Sequence, residues 1–258
     1  MMTFSVDSLI AFISHCFWPM IRVLALFSTA PVFNEQSAAK KNRIVLAIII
    51  AWLIAPQLPD THIAIFSLTG LWVSAQQVII GAAMGLTVQL LFVAVRNAGE
   101  VIGMQMGLSF ASFFDASAGG STPVIARILN LLATLLFLTF DGHLWLISIV
   151  ADSFTTLPAD GSLFNREGFM QLIQAAAMIF RSGVMLGLPI ITLLTGINLA
   201  LGLLNRLTPQ LSIFVIGFPL TLSIGMVALS LIIFRLPRFV ENIMTLDFEN
   251  LLQVLFLL

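Results

Sequence analysis

The chain has 258 residues, of which 59% are hydrophobic and 9% are charged, and its formal net charge is −1. Its mean hydropathy is +1.08. Soluble domains contain about 25% charged residues, so this chain has too few charges to cover a surface that faces water. The composition excludes a soluble enzyme, a nucleic-acid-binding protein and a disordered chain. It predicts a multi-pass membrane protein.

The N-terminal region is expected to remain in the mature protein. Residues 1–8 contain no Lys or Arg, and no A-x-A cleavage site closes the apolar run that follows. Residues 9–33 form the first apolar segment, which is long enough to span a bilayer and which Pro19 is expected to kink. The single cysteine, Cys16, excludes an internal disulfide and a cysteine-cluster metal site.

The next elements alternate between basic ends and apolar segments. Residues 34–43 hold the densest basic cluster, which the positive-inside rule places in the cytoplasm. The second segment, residues 44–55, is closed by Pro56 and is short for a span, so it also fits a helix buried in protein. The third segment, residues 63–95, is predicted to end at Arg96.

The stretch 98–122 is apolar but does not resemble a membrane span. Gly99, Gly103 and Gly107 recur every four residues, which would place them on one face of a helix. Phenylalanines and a Ser/Gly/Thr run follow them.

The second half of the chain predicts a broken segment and a helix hairpin. Residues 124–150 are interrupted at Asp141-Gly142-His143, which predicts two shorter helices. Residues 169–205 and 211–234 are joined by a five-residue link, so they form an antiparallel hairpin. An amphipathic helix is expected after Pro237. Together these elements predict an all-α integral membrane protein with long kinked helices and helix hairpins.

The charges do not fit a simple six-span topology. Basic ends after the first and third segments point inward, but six spans would place Arg235 and Arg238 outside, against the positive-inside rule. Either one segment is not a span, or the protein does not sit in the bilayer in the ordinary way.

No catalytic or cofactor site is predicted. The three histidines lie on separate segments without metal-ligand spacing, and no phosphate-binding GxxxxGK[ST] loop occurs. The GLSFA sequence from Gly107 lacks the last glycine of a nucleophile elbow. We therefore expect no enzyme activity, no cofactor and no metal.

Three GxxxG patterns predict close helix packing or hinges. A spacing of four residues returns small side chains to one helix face, where a second helix can approach closely. The contacts could be internal, which the residues alone favour, or with other subunits. The residues are Gly81, Gly85, Gly99, Gly103, Gly107, Gly183 and Gly187.

A methionine and phenylalanine cluster beside these glycines admits two interpretations. Phenylalanine rings exclude water, and a hydrophobic constriction can close a pore. The residues alone favour the other interpretation, an ordinary buried helix. The cluster consists of Met104, Met106, Phe110, Phe113 and Phe114.

Ionisable residues within apolar stretches are candidates for buried ionic pairs. They are Arg22, Glu100, Arg127 and Arg181. They are too scattered for an ion relay, so we expect them to pair between helices or subunits. Arg96 and Glu100, four residues apart, are expected to pair with each other.

Four blocks of sequence resemble the FliR family of the flagellar type III export gate. They are FWPMIRVLALFSTAPVF at 17–33, AVRNAGEVIGMQMGLSFASFFD at 94–115, LTFDGHLWLIS at 138–148 and NLALGLLNRLTPQLSIFVIGFPLTL at 198–222. The resemblance covers nearly the whole chain, and the blocks are closer to the flagellar than to the virulence branch.

This resemblance implies partners, an organisation and a location. It implies a bacterial inner-membrane, basal-body complex with FliP and FliQ, with FlhB, FlhA and rod proteins as further partners, in contact with membrane lipid and unfolded export substrates. Residues 1–168 would be FliP-like, including a plug loop at about 99–122. Residues 169–258 would be a FliQ-like hairpin plus the C-terminal helix.

The resemblance also implies a gate. Phe110 and Phe113 would close the export channel, supported by Phe114, Met104 and Met106, which reverses the preference for an ordinary buried helix. Three alternatives stay open: the equivalent subunit of a virulence system, a scaffold that never touches cargo, and a small-solute secondary transporter with a mid-membrane polar site.

Overall fold

The computed structural model describes residues 6–33, 40–58, 63, 65–108, 123–159, 166–208 and 213–257. Within these residues the regular structure is helical and contains no strand, which confirms the all-α prediction. The helices are α1 Val6–Thr29, α2 Lys40–Ile54, α3 Leu68–Gln105, α4 Val124–Thr139, α5 Gly142–Thr156, α6 Arg166–Leu207 and α7 Ile213–Leu257, with a 3-10 turn at Ala55–Gln57.

The predicted break at Asp141 is confirmed. Helix α4 ends at Thr139, and α5 begins at Gly142 after Asp141, whose φ of 56° lies in the left-handed region. Backbone amides of Leu144 and Trp145 donate to the Asp141 carbonyl, which starts the new helix. An acidic residue followed by glycine tolerates this turn better than a branched residue would.

Two predicted helix ends are wrong. Helix α3 continues through Arg96 to Gln105, because α4 packs against the glycines that follow and offsets their low helix propensity. Helix α7 continues through Pro237 to Leu257, although a proline in a helix interior removes one backbone hydrogen bond.

Several helices are long and apolar enough to cross a membrane. They are Leu68–Gln105, Met170–Leu207 and Ile216–Leu246, and α4 with α5 makes a fourth if the pair is one broken span. The short second segment agrees with α2, which is 15 residues long.

The chain divides into two compact units of interleaved segments. Unit 1 comprises Met1–Gln89, Asp141–Ala176 and Thr245–Leu258, and unit 2 comprises Leu90–Phe140 and Ala177–Met244. In unit 1, α1 packs against α2, and Trp18, Val73 and Ala159 share a buried cluster. In unit 2, the rings of Phe92 and Phe137 meet edge to face at 5.5 Å.

Candidate functional site

The GxxxG residues of unit 1 lie where α3 crosses α1. A Cβ atom on Gly81 would meet the Arg22 carbonyl oxygen, and it would lie 2.8 Å from the Ala25 Cβ. A Cβ atom on Gly85 would meet the Thr29 hydroxyl. The Thr29 hydroxyl also donates to the Ala82 carbonyl at 3.5 Å. The glycines therefore allow the two backbones to approach within direct contact.

In unit 2, α3 uses further glycines for its contact with α4. A Cβ atom on Gly99 would lie 2.6 Å from the Ala126 Cα, and one on Gly103 would lie 3.1 Å from the Pro123 Cβ. Ala126 is itself fully buried. The end of α3 is therefore held by α4 along the glycine face that the sequence placed there.

Helix α6 supplies the third pair of glycines, again against α3. A Cβ atom on Gly183 would lie 2.5 Å from the Ala94 Cβ, and one on Gly187 would lie 3.3 Å from the Ala98 Cβ. Two alanines of α3 thus fit against two glycines of α6, an arrangement of small residues that favours close helix contact in membranes.

Helix α3 ends in a Schellman motif around Gly107. The Leu108 amide donates to the Gly103 carbonyl at 3.1 Å, and the Gly107 amide donates to the Met104 carbonyl at 3.0 Å. Gly107 has a φ of +82°, a conformation that costs glycine little and other residues more. Gly107 is therefore a helix-terminating residue as well as part of the glycine series.

Helix α7 packs against this end of α3. Met106 is fully buried, and a Cβ atom on Gly225 would lie 2.5 Å from the Met106 Cγ. The Thr221 hydroxyl donates to the Met106 carbonyl at 3.5 Å. A Cβ atom on Gly107 would lie 3.1 Å from the Phe218 ring.

Helix α6 adds a polar clamp one residue earlier. The Asn198 side-chain amide donates to the Gln105 carbonyl at 3.1 Å and to the Gln105 Oε1 at 3.0 Å. Asn198, Thr221 and Gly225 were not among the predicted gate residues. The signal available in the sequence was an asparagine within the apolar part of α6, where a polar side chain usually finds a hydrogen-bond partner on another helix.

The predicted gate residues are only partly within the described structure. Met106 is buried at the end of α3, and Met104 is exposed to 54%. Phe110, Phe113 and Phe114 lie outside the described residues.

The predicted ionic residues occupy different environments. Arg96 Nε lies 3.5 Å from Glu100 Oε1, as their spacing predicted. Arg127 and Arg181 are exposed, whereas Arg22 is fully buried.

Arg22 joins three parts of unit 1 through neutral acceptors. Its Nε donates to Gln77 Oε1, and its two terminal nitrogens donate to Ser153 Oγ and the Leu157 carbonyl, each at 2.7 Å. Its Cζ lies 3.6 Å from the centroid of the Phe154 ring. Among the residues that the structure describes, no carboxylate pairs with this cation.

The described residues contain no group of three or more His, Cys, Asp or Glu side chains that could hold a metal ion. The site is a structural anchor. The C-terminal end of α3 is capped by Gly107 and contacts α4, α6 and α7.

Comparison with known proteins identifies the family. Residues 13–246 match bacterial export proteins, family 1. The chain belongs to this family. It is 51% identical to the flagellar biosynthetic protein FliR of Pectobacterium carotovorum subsp. carotovorum, over 99% of this chain and 98% of the relative. It is also 51% identical to FliR of Escherichia coli (strain K12), over 93% and 92%, and 26% identical to FliR of Bacillus subtilis (strain 168), over 91% and 92%.

Membership of this family fixes the broad role. The chain is a component of the flagellar export apparatus of the type III family and acts in a complex with other proteins of that apparatus. With its long apolar helices, it is a multi-pass protein of the bacterial inner membrane at the flagellar basal body. The expected flagellar branch agrees with the names of these relatives.

Proposed function

We propose that this chain is a non-enzymatic subunit of the flagellar export gate, which assembles with FliP and FliQ into the channel for unfolded flagellar proteins. FlhB, FlhA and rod proteins are its further partners. Residues 1–168 are the FliP-like part in this proposal, and residues 169–258 are the FliQ-like part.

The proposal includes a hydrophobic plug. Phe110 and Phe113 close the channel, and Phe114, Met104 and Met106 support them. Large apolar side chains close a pore by excluding water from it.

The anchored end of α3 is the observation that supports the plug. A plug resists leak only if the chain at its base is fixed. Immediately before residue 109, α3 is capped at Gly107. Met106 packs against Gly225, and Asn198 donates a hydrogen bond to the Gln105 carbonyl.

The apolar surface of the chain supports an assembly with other membrane proteins. Phe180 and Phe234, for example, are exposed to 53% and 83%. Large exposed apolar side chains on helices of this length require lipid or protein to cover them.

An ion-leak measurement tests the plug. Phe110→Ala/Phe113→Ala is expected to raise small-ion leak in cells that make the full export complex, because two rings no longer exclude water. Phe66→Ala/Trp72→Ala removes two exposed rings outside the plug, at residues to which we assign no role in assembly, and is expected to leave the leak at the wild-type level. An unchanged leak in the plug variant, with normal complex assembly, would refute the plug.

Native mass spectrometry tests the assembly. The chain is expressed with and without FliP and FliQ of the same organism and recorded in mild detergent. Recovery in a defined hetero-complex is the expected result, and a stable monomer or homodimer that ignores both partners would contradict it. Crosslinks from position 110 to a stalled substrate are expected for a gate and not for a scaffold.

A further inference from the structure

Helix α2 exposes an apolar surface with two lysines at one end. Its buried residues form a single stripe, and they are Ala47, Ile50, Ala51 and Ile54. On the other side, Val45, Trp52 and Leu53 are exposed to 56%, 59% and 60%. A helix that faced water would carry polar residues opposite its buried stripe, and α2 has none after Arg43.

The apolar part of α2 matches the depth of one leaflet. Residues 44–54 of α2 are eleven consecutive apolar positions, and at 1.5 Å per residue they extend about 16 Å. This is about half of the hydrocarbon thickness of about 30 Å. Lys40 and Lys41, which are exposed, precede this stretch and lie at its polar end.

One face of α2 joins a cation to a continuous apolar track. Lys41, Val45, Ile48, Ile49 and Trp52 recur at helical spacing, so they share one face. The lysine side chain is long enough to extend to the headgroup region while its methylenes stay against apolar surface. This face would contact both the phosphate and an acyl chain of a phospholipid.

The sizes of the exposed side chains favour lipid over a second helix. Helices pack in membranes through small residues. The alanines of α2, Ala47 and Ala51, face its buried side. Its exposed apolar positions instead carry large side chains: Ile, Val, Leu and Trp.

We propose that α2 is a binding site for an anionic phospholipid. The lipid phosphate lies at Lys40 and Lys41, and an acyl chain lies along Val45, Ile49 and Trp52. The site belongs to unit 1 alone and does not depend on the plug.

Lipid retention tests the charge at this site. The full chain, purified with its accompanying export proteins, is placed in nanodiscs of dioleoylphosphatidylglycerol and dioleoylphosphatidylcholine, and native mass spectrometry measures the retained phosphatidylglycerol. Lys40→Gln/Lys41→Gln is expected to weaken retention about 25-fold, since each lysine near an anionic lipid contributes about fivefold. Lys40→Arg/Lys41→Arg is expected to retain the lipid.

A matched charge control separates the site from net charge. Arg235 and Arg238 are an exposed basic pair on α7, and Arg235→Gln/Arg238→Gln removes the same charge. Retention of phosphatidylglycerol near the wild-type level by the Arg235→Gln/Arg238→Gln variant supports the site. Equal losses from the lysine and arginine variants would refute it, because the effect would then follow net charge.

Brominated lipid identifies the occupant of the apolar face. In the same complexes, the wild type is expected to show more tryptophan quenching by acyl-chain bromine than Trp52→Phe. An equal quenched fraction in the two proteins would show that a partner protein covers α2 and would overturn the proposal.

Discussion

Replacing Arg22 tests how unit 1 is held together. The guanidinium is fully buried and bonds Gln77, Ser153 and the Leu157 carbonyl. Because these acceptors are neutral, the positive charge is solvated by dipoles and by the Phe154 ring. We expect Arg22→Lys, which keeps the charge, to lower the stability of the chain more than the double substitution Arg22→Met/Gln77→Met, which removes the charge and one acceptor.

The magnitude follows from the geometry. Arg22 reaches three acceptors in different directions with a planar fork, whereas lysine has one nitrogen. Arg22→Lys keeps a buried charge and loses part of its solvation. The expected cost is about 3–5 kcal/mol, the range for a buried charge that is left without compensation. Arg22→Met removes the charge but leaves three acceptors without their donor.

A double substitution removes the cost of leaving the buried Gln77 side chain without its hydrogen-bond donor. Arg22→Met/Gln77→Met removes both groups, and Ser153 keeps its own bond to the Val150 carbonyl at 2.7 Å. The Leu157 carbonyl is then the main acceptor that loses its donor, at about 1–3 kcal/mol. The double variant is therefore expected to be about 2 kcal/mol more stable than Arg22→Lys, by subtraction of these ranges.

Thermal unfolding of the full chain in detergent, followed by circular dichroism, measures the order. About 2 kcal/mol corresponds to an apparent midpoint difference of roughly 4–8 °C for a chain of this size. A midpoint for Arg22→Lys within about 2 °C of wild type, with the double variant below it, would refute the reasoning. It would mean that the cation is compensated by a nearby anion.

The remaining predictions concern α6 and the end of α3. Gly183→Ala is expected to lower the unfolding midpoint, since overpacking against Ala94 costs about 1–3 kcal/mol. Gly196→Ala, where nothing lies within 4 Å, is expected to raise the midpoint, because alanine stabilises a helix by about 0.5–1 kcal/mol relative to glycine. Asn198→Ala is expected to speed hydrogen exchange of the α3 C-terminal amides about fivefold, for a bond worth about 1 kcal/mol; unchanged exchange would exclude the clamp. Gly107→Ala is expected to destabilise the chain more than Gly107→Asn, because asparagine tolerates a positive φ better, and equal midpoints would contradict that explanation.

Local sequence patterns predicted the features that depend on local chemistry. The Asp141-Gly142 pair predicted the break between α4 and α5, because backbone conformation there is set by the residues themselves. Pro56 predicted the end of α2 for the same reason. Helix α3 continues through Gly99 and Gly103, where α4 packs against it. Helix α7 continues through Pro237, where Leu236 and Val240 are buried. Tertiary packing outweighs intrinsic propensity at both places.

The partners of Arg22 could not be predicted in the same way. Gln77 and Ser153 lie 55 and 131 residues away along the chain. Helical periodicity relates residues within a few turns and contains no information about such pairs. A buried arginine in an apolar helix indicates that partners exist, and only the tertiary structure identifies them as neutral.

Glycine spacing predicts where helices can pack closely, but it does not predict where they do. Ala94 and Ala98 pack against Gly183 and Gly187. A Cβ atom on Gly196, on the same helix, would have no neighbour within 4 Å. The small side chain permits close approach at each position, and the path of α3 decides which positions are used. At Gly107 the two roles coincide, because one residue both ends α3 with a positive φ and meets the Phe218 ring of α7. A substitution there changes the backbone and the packing together, so the Ala and Asn variants, which differ in their tolerance of positive φ, are needed to separate the two effects.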